Sequence, residues 1–549
     1  VGSGAGGGTL AWSLADQGIS VVVLEKGPYY TLLDFGYHDE LKIQKRDFFA
    51  PNENDEPRLI REPGQESYKR TPSGWLANCV GGGTVHMSGF FLRLHRIDFQ
   101  MRSRFDREPH ATVEDWPITY DEFAPWYDKI ETMLGVSGTR EANPFDEPTK
   151  TPYPNPPIKD HPFSEPFDRT AKKLGWHPFP TPRAILSRPY DGRPPCNYCG
   201  YCGNYGCEIG AKSSVLATFI PKAEATGKCT VRPRSMATEV VIGEDGKATG
   251  VRYLDEKGAL HEQKARVVVV SCTALESARL LLNSKSSRFP NGTANTNGQV
   301  GKNLIFGTFS QVEADFHRTG KAKAFPGFDD PAPFLGRSLQ DFYMLPKSAG
   351  VLKGGTLRFD MMPKSPIARV TKVAISKRGA TAELPIWGQA LKDELRAHFR
   401  DMRTLECEAF GEYTASDGSY VEVDPDTKDK YGLPVVRMTV GILESNVKAV
   451  RFLSDRAAEL FHEMGAEDVR RGISGGTSWV LQHGTARFGS DPKTSVLDKN
   501  CKTHDVPNLY VVDGSFMPSS GGVPTTLTIM ANALRVGAHM REAFVKKTL

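Results

Sequence analysis

Within its first eight residues, Val1 to Gly8, the chain carries five glycines, and Gly2, Gly4 and Gly7 fall on the spacing G-x-G-x-x-G. Bare backbone at those three places lets the chain turn tightly and bring amides close to a pyrophosphate at a helix N-terminus. Downstream, Leu10, Ala11, Leu14 and Ala15 fall on one face of a helix expected over 8–17. Ile19 to Leu24 is a β-branched run suited to a buried parallel strand. Glu25 closes that strand, where a carboxylate accepts the hydroxyls of an adenosine ribose and repels a 2′-phosphate. Turn, helix, strand and acid together predict a site for FAD or NAD rather than NADP. Val1 stands inside what should be the first strand, so further residues, and any targeting signal with them, are expected upstream.

A second glycine turn, Gly81-Gly82-Gly83-Thr84-Val85-His86, offers free amides to an anionic or carbonyl ligand, the alternative being a plain flexible loop. Thr119 and Glu122 form a capping box for a helix whose face is Phe123, Trp126, Tyr127, Ile130 and Leu134, with Gly135 or Gly138 as its stop. Residues 143–196 are rich in proline and read as an extended connector. Short alternating strands with turns at Asp245-Gly246 and Lys257-Gly258 follow over 230–270, then a helix from Leu275 to Asn283. Residues 310–475 carry polar strands and a helix over 446–464, with no nucleotide motif, and read as a substrate-side domain. The strand Leu509 to Val512 should rejoin the opening fold.

The chemistry beyond the dinucleotide turn centres on cysteine. Of nine cysteines, Cys196, Cys199, Cys202 and Cys207 lie within twelve positions, at the tight spacing of thiolates folded round an iron–sulfur centre. Tetrahedral zinc competes, and disulfides or free thiols stay open. A flavin taking two electrons beside a centre passing one at a time points to a dehydrogenase feeding an external acceptor. With 69 basic against 65 acidic residues, a net charge of +4, the 549-residue chain has no nucleic-acid footprint. No apolar run reaches the roughly 18 residues of a membrane span, so membrane attachment is expected only through a partner.

In the tail, Asp513-Gly514 at a strand end suits a cofactor hydroxyl, and the helix starting at Thr525 turns its amides toward a flavin's electron-rich end. Together with the two glycine turns, Asp115-Trp116-Pro117, Val300-Gly301-Lys302-Asn303-Leu304 and Asp429-Lys430-Tyr431-Gly432-Leu433-Pro434, this tail resembles the glucose-methanol-choline family of flavoproteins, with matches from residue 1 to about 540. The cysteine run after Arg193-Pro194-Pro195 is similar to that of the gluconate 2-dehydrogenase-like flavoprotein subunits.

The resemblance implies an α/β fold, a Rossmann-like FAD-binding domain assembled from separated segments, with an α+β substrate domain built on an antiparallel sheet. The FAD-binding segments are expected over 1–110, 196–309 (with the cysteine cluster) and 476–549, the helix and proline-rich connector over 111–195, and the substrate domain over 310–475. Activity is expected to be hydride transfer from an alcohol carbon of a sugar, glycoside or sugar acid to FAD. Electrons then pass through a 3Fe-4S or 4Fe-4S cluster to a cytochrome-type acceptor, with a small partner subunit. The setting is the bacterial periplasm or the periplasmic face of a membrane, the cytoplasm being the alternative. An electron-transfer or structural flavoprotein subunit that has lost alcohol oxidation, and an FAD oxidase with a structural zinc site, are the rival readings.

One departure bears on catalysis. The family's histidine, three residues before Gly484-Thr485, falls on Leu481, and its partner falls on Pro524; neither takes a proton. His483, on the same strand face as Leu481, is either the displaced base or a packed residue. His86 matches a loop that carries a flavin-linked histidine in some sugar oxidases; a non-covalent contact and a filler are the alternatives.

Overall fold

In the computed structural model the described residues are 1–36, 49–74, 76–105, 108–203, 205–330, 332–361, 370, 386–472 and 477–547. In chain order the elements that build the site begin with α1 (Ala5–Ala15), β1 (Val21–Leu24) and α2 (Tyr120–Leu134), followed by α3 (Ser164–Lys173), β2 (Phe179–Pro180), β3 (Cys229–Arg232) and β4 (Met236–Ile242). Next come β5 (Ala248–Leu254), β6 (Leu260–Lys264), β7 (Val268–Val270), α4 (Ala274–Asn283) and β8 (Ile305–His317). After β9 (Arg337–Leu339), β10 (Gly355–Met361) and β11 (Met402–Gly411), the chain runs through α5 (Glu444–Met464), β12 (Asp468–Gly472) and β13 (Thr477–His483) to β14 (Leu509–Val511) and α6 (Thr526–Val545).

The nucleotide half is parallel. β1 pairs with β3 from Val21↔Cys229 to Leu24↔Arg232, and β14 pairs with β7 from Leu509↔Val268 to Val511↔Val270. Val1 and Gly2 tie the two pairs together: the amide of Gly2 donates to Leu24 at 2.8 Å, and that of Ser271 to Val1 at 2.9 Å. The tail strand therefore rejoins the opening fold although some 500 residues separate them in sequence. α6 lies across α1 so closely that a Cβ on Gly537 would come within 2.5 Å of Ser13 Oγ. β4, β5 and β6 form an antiparallel meander whose turns hold Gly246 and Gly258 at φ +78° and +79°, as Asp245-Gly246 and Lys257-Gly258 predict.

α1 begins at Ala5, earlier than the apolar periodicity indicates, because the glycines of the turn themselves form its first turn. α2 has the predicted box, Thr119 with Glu122, and ends at Gly135 in the left-handed region, φ +71°. Phe123, Tyr127, Ile130 and Leu134 are fully buried and Trp126 half-buried.

The second half is an antiparallel sheet in the order β12-β8-β11-β10-β9-β2, with β13 also paired to β8. The proline-rich stretch thus does more than connect: it contributes β2 to this sheet and α3 to its cover. One sheet face, with Val312, Ala314, Leu357, Phe359, Leu405 and Cys407, is buried with Leu453, Ala457 and Phe461 of α5 in an apolar cluster of its own. The other face looks into the cleft between the two halves. None of the described helices is long and apolar enough to cross a membrane.

Candidate active site

The two glycine turns meet at the mouth of a cleft of about 1050 Å³. Gly2 sits at φ +86°, and a Cβ there would lie 2.2 Å from the carbonyl oxygen of Ser271, so no other residue fits. A Cβ on Gly7 would meet Gly2 O at 2.1 Å; its bareness closes the turn rather than lining the cleft. Across the cleft a Cβ on Gly82 would stand 2.9 Å from Gly4 Cα. Ser3, which the sequence pattern does not mark, holds this junction: its Oγ donates to Glu25 at 2.7 Å and accepts from the Gly81 amide at 3.1 Å. The Glu25 carboxylate also takes the amides of Ser3 (3.0 Å) and Gly27 (2.9 Å). Burial pushes its carboxyl up, and these hydrogen bonds hold it back.

Residues Gly82 to His86 form a single 3-10 turn. Thr84 Oγ1 donates to Gly81 O at 2.7 Å and accepts from the Val215 amide at 3.0 Å, bracing the turn, while Val85 packs into the core. Gly82, Gly83, Thr84 and His86 line the cleft, and the His86 ring lies 5.5 Å from that of Phe49.

At the other end β13 delivers Trp479, Leu481 and His483 to the cleft by strand alternation. The His483 ring is buried, its Nε2 is 2.6 Å from Thr525 Oγ1, and its Nδ1 has no hydrogen-bond partner. Desolvation alone pushes its pKa down to about 3, so the ring is neutral. Asp513 accepts from the Ser515 amide at 2.8 Å and from the hydroxyls of Ser515 and Ser277. Next to it, a Cβ on Gly514 would lie 2.5 Å from Gln482 O and 3.1 Å from the His483 ring. Thr525 stands at the N-cap position of α6 with its hydroxyl turned to His483, and the first turn of that helix faces the cleft.

Two glycine cradles, a buried ribose-type acid and an orphaned imidazole nitrogen form one elongated cleft, which suits FAD from adenine end to flavin end. Residues 58–307 and 415–533 match the N-terminal and C-terminal models of the GMC oxidoreductases, and residues 1–31 match an NAD(P)-binding Rossmann-like domain. The chain belongs to the GMC oxidoreductase family. The 2-methyl-1,2-propanediol dehydrogenase of Mycolicibacterium austroafricanum is 33% identical, with 99% of this chain and 95% of the relative covered. The gluconate 2-dehydrogenase flavoprotein of Pantoea cypripedii is 25% identical, with 100% and 93% covered. Among solved structures, the formate oxidase of Aspergillus oryzae RIB40 matches with a TM-score of 0.62 at 15% identity, covering 100% of this chain and 98% of that one, a likeness of fold. As a GMC oxidoreductase the protein binds FAD and acts on alcohol groups.

Of the four clustered cysteines only Cys202 reaches this GMC cleft. Cys199, Cys202 and Cys207 line a small separate cavity, and Cys202 also lines the main cleft. Cys196 packs with Ile158, Ile185 and Phe334. All four are free thiols, and among the described residues no three or more His, Cys, Asp or Glu side chains are grouped to hold a metal ion. The donors are chemically right for an iron–sulfur centre, but as they stand they do not form its ligand set. The loop is braced instead by Lys212, whose buried ammonium donates to Cys202 O and Tyr205 O, both at 2.7 Å, and to Met87 O at 3.0 Å.

The sequence pattern also misses the cleft's far wall: Arg183, Gln311, Arg358, Asp360, Glu406 and Glu408. Their alternation with apolar residues reads as an ordinary solvent-facing strand face.

Proposed function

We propose that this GMC oxidoreductase is a dehydrogenase of hydroxyl-rich alcohols, working at the His483 end of the cleft. FAD, when bound, supplies the acceptor for the hydride leaving the alcohol carbon. The observation that carries the reading is the His483 ring. With Nε2–H donating to Thr525, the Nδ1 lone pair is left free to take the hydroxyl hydrogen bond and then its proton, so that a carbonyl forms. Relatives named for a diol, for gluconate and for 6'''-hydroxyparomomycin C support a polyhydroxylated substrate. Anaerobic addition of sorbitol, glucose or 1,2-propanediol should bleach the flavin. Bleaching by dithionite and by none of the alcohols would instead favour an electron-transfer flavoprotein, the reading that Leu481 and Pro524 support.

For the exit of electrons we propose the cysteine loop, with an iron–sulfur cluster on Cys196, Cys199, Cys202 and Cys207 and a cytochrome-type acceptor on a partner subunit at the periplasmic face of a membrane. The spacing supports it, as does the position of Cys202 on both cavities. The thiols must then swing to one centre. Iron and acid-labile sulfide in the purified protein test this; zinc or no metal overturns it. A link from His86 to the flavin is tested by acid precipitation, which leaves a covalent flavin with the protein.

A further inference from the structure

The far wall of the cleft is set out by strand register. Phe309, Phe410 and Thr356 lie abreast on β8, β11 and β10; the next row on that face is Gln311, Glu408 and Arg358, and the next Glu313, Glu406 and Asp360, of which Glu406 and Asp360 line the cleft. The wall is thus aromatic at Phe309 and Phe410 and charged beyond them. Arg358 pairs with Asp360 at 3.2 Å, with Glu406 at 3.6 Å and with Glu408; Arg183 pairs with Asp360; Gln311 donates to Glu406 at 2.9 Å. The cleft is lined by three carboxylates here, Asp360, Glu406 and Glu408, against two guanidiniums. Arg183 and Arg358 are 1% and 4% exposed, and the Nε of each has no hydrogen-bond partner. Buried ions cost several kcal/mol each, and the opposite face of the same strands puts the apolar Val312, Ala314, Leu357, Phe359, Leu405 and Cys407 into the core. The charged face is kept for something that enters the cleft.

We infer that Gln311, Arg358, Glu406 and Glu408 form the subsite that selects a neutral, hydroxyl-bearing substrate and turns away sugar acids. The inference rests on the alcohol-dehydrogenase reading and narrows it. A hydroxyl both donates and accepts, so it satisfies a carboxylate and a guanidinium or amide side by side. Above pH 7 a substrate carboxylate instead meets a surplus of negative charge, three carboxylates against two guanidiniums, and Arg358, the cation nearest it on the sheet, is already committed to all three. Glu406 adds a pH dependence. Burial first, then Glu408, Glu313 and Asp360, push its carboxyl up to about 7 against the pull of Arg358. Arg470 stands behind Glu313 at 3.4 Å, and Arg183 pairs with Asp360 on the other side. Below pH 7 Glu406 is a neutral donor for a substrate oxygen; above it the wall gains another negative charge.

The test is calorimetric titration of the holoenzyme, reduced beforehand with dithionite so that no turnover intervenes. Sorbitol is compared with gluconate, and 1,2-propanediol with lactate, at pH 6 and pH 8. At pH 8 each neutral alcohol is expected to bind about tenfold or more tightly than its acid, and at pH 6, where a protonated Glu406 leaves two carboxylates against two guanidiniums, the preference should shrink. Sorbitol should weaken between pH 6 and 8, E406Q should abolish that change, and E408Q should strengthen gluconate; FAD content checks that both variants fold. An acid binding at pH 8 as tightly as its alcohol, a pH dependence that survives E406Q, or no binding by any of the four overturns the inference. Selective binding of sorbitol without flavin bleaching in the oxidised enzyme supports the subsite and overturns the dehydrogenase reading.

Discussion

His483 Nε2 and Thr525 Oγ1 lie 2.6 Å apart, joining the end of β13 to the cap of α6. The bond fixes the imidazole and decides which nitrogen is left for the substrate. His483→Ala is expected to slow flavin reduction roughly a hundredfold. Thr525→Val, which keeps the shape and loses the hydroxyl, should cost about tenfold through a mispositioned ring. Stopped-flow reduction by a substrate alcohol measures both, and unchanged rates remove His483 from the chemistry.

Because desolvation holds His483 down at about 3, the ring is neutral throughout the working range. The rate of flavin reduction between pH 5 and 8 should therefore show no inflection from this group near the ordinary histidine value of about 6.5. An inflection there that His483→Ala removes would contradict the buried, neutral assignment.

Glu25 gathers two amides and a hydroxyl in a dry site, and its loss leaves those donors unpaired as well as releasing the ribose. Glu25→Ala is expected to weaken FAD by about ten- to a hundredfold. Fluorescence of the flavin released on dilution reads this directly.

Gly82 and Gly18 both have positive φ, +52° and +79°, but only Gly82 has a backbone neighbour, Gly4 Cα, in the way of a Cβ. Gly82→Ala should push the glycine turns apart and lower FAD occupancy. Gly18→Ala, with nothing within 4 Å, should cost about 1–2 kcal/mol of stability and leave FAD binding intact. Equal flavin content in the two variants would contradict a cofactor held between the turns.

Burial pushes Glu412 up to about 7 although Lys353 and the amide and hydroxyl of Ser520 oppose it. Its folded pKa lies above the unfolded value, so the unfolded chain gives up the proton first and stability falls as pH rises from about 4.5 to about 7. Glu412→Gln removes this dependence. Its melting temperature relative to wild type should climb through that window, by up to about 1.4 kcal/mol of stability per pH unit, and level off above pH 7.

Much of the nucleotide half is legible in the residues because its signals are local. Gly2, Gly4, Gly7 and Glu25 act within one turn, helix and strand, and Thr119, Glu122 and Gly135 cap a single helix. The prolines of 143–196 mislead: their local stiffness says connector, whereas β2 and α3 in that stretch are recruited by a sheet formed far downstream. The thiol spacing names a chemistry, but whether four sulfurs converge depends on the path of the loop between them.

The sequence by itself determined the FAD turn, the family and the absence of a titratable group at Leu481 and Pro524, since each is written in neighbouring residues. The tertiary structure decided what the cleft contains. His483 meets Thr525 only because β13 ends against the start of α6. Gln311, Arg358, Asp360, Glu406 and Glu408 share one wall only because β8, β11 and β10 pair in one register, and Arg183 joins them from outside those strands through its pairing with Asp360. Alternation along a strand says that one face is polar. Whether that face meets bulk water or an enclosed site is fixed by packing against a distant half of the chain, a non-local property that no short pattern carries.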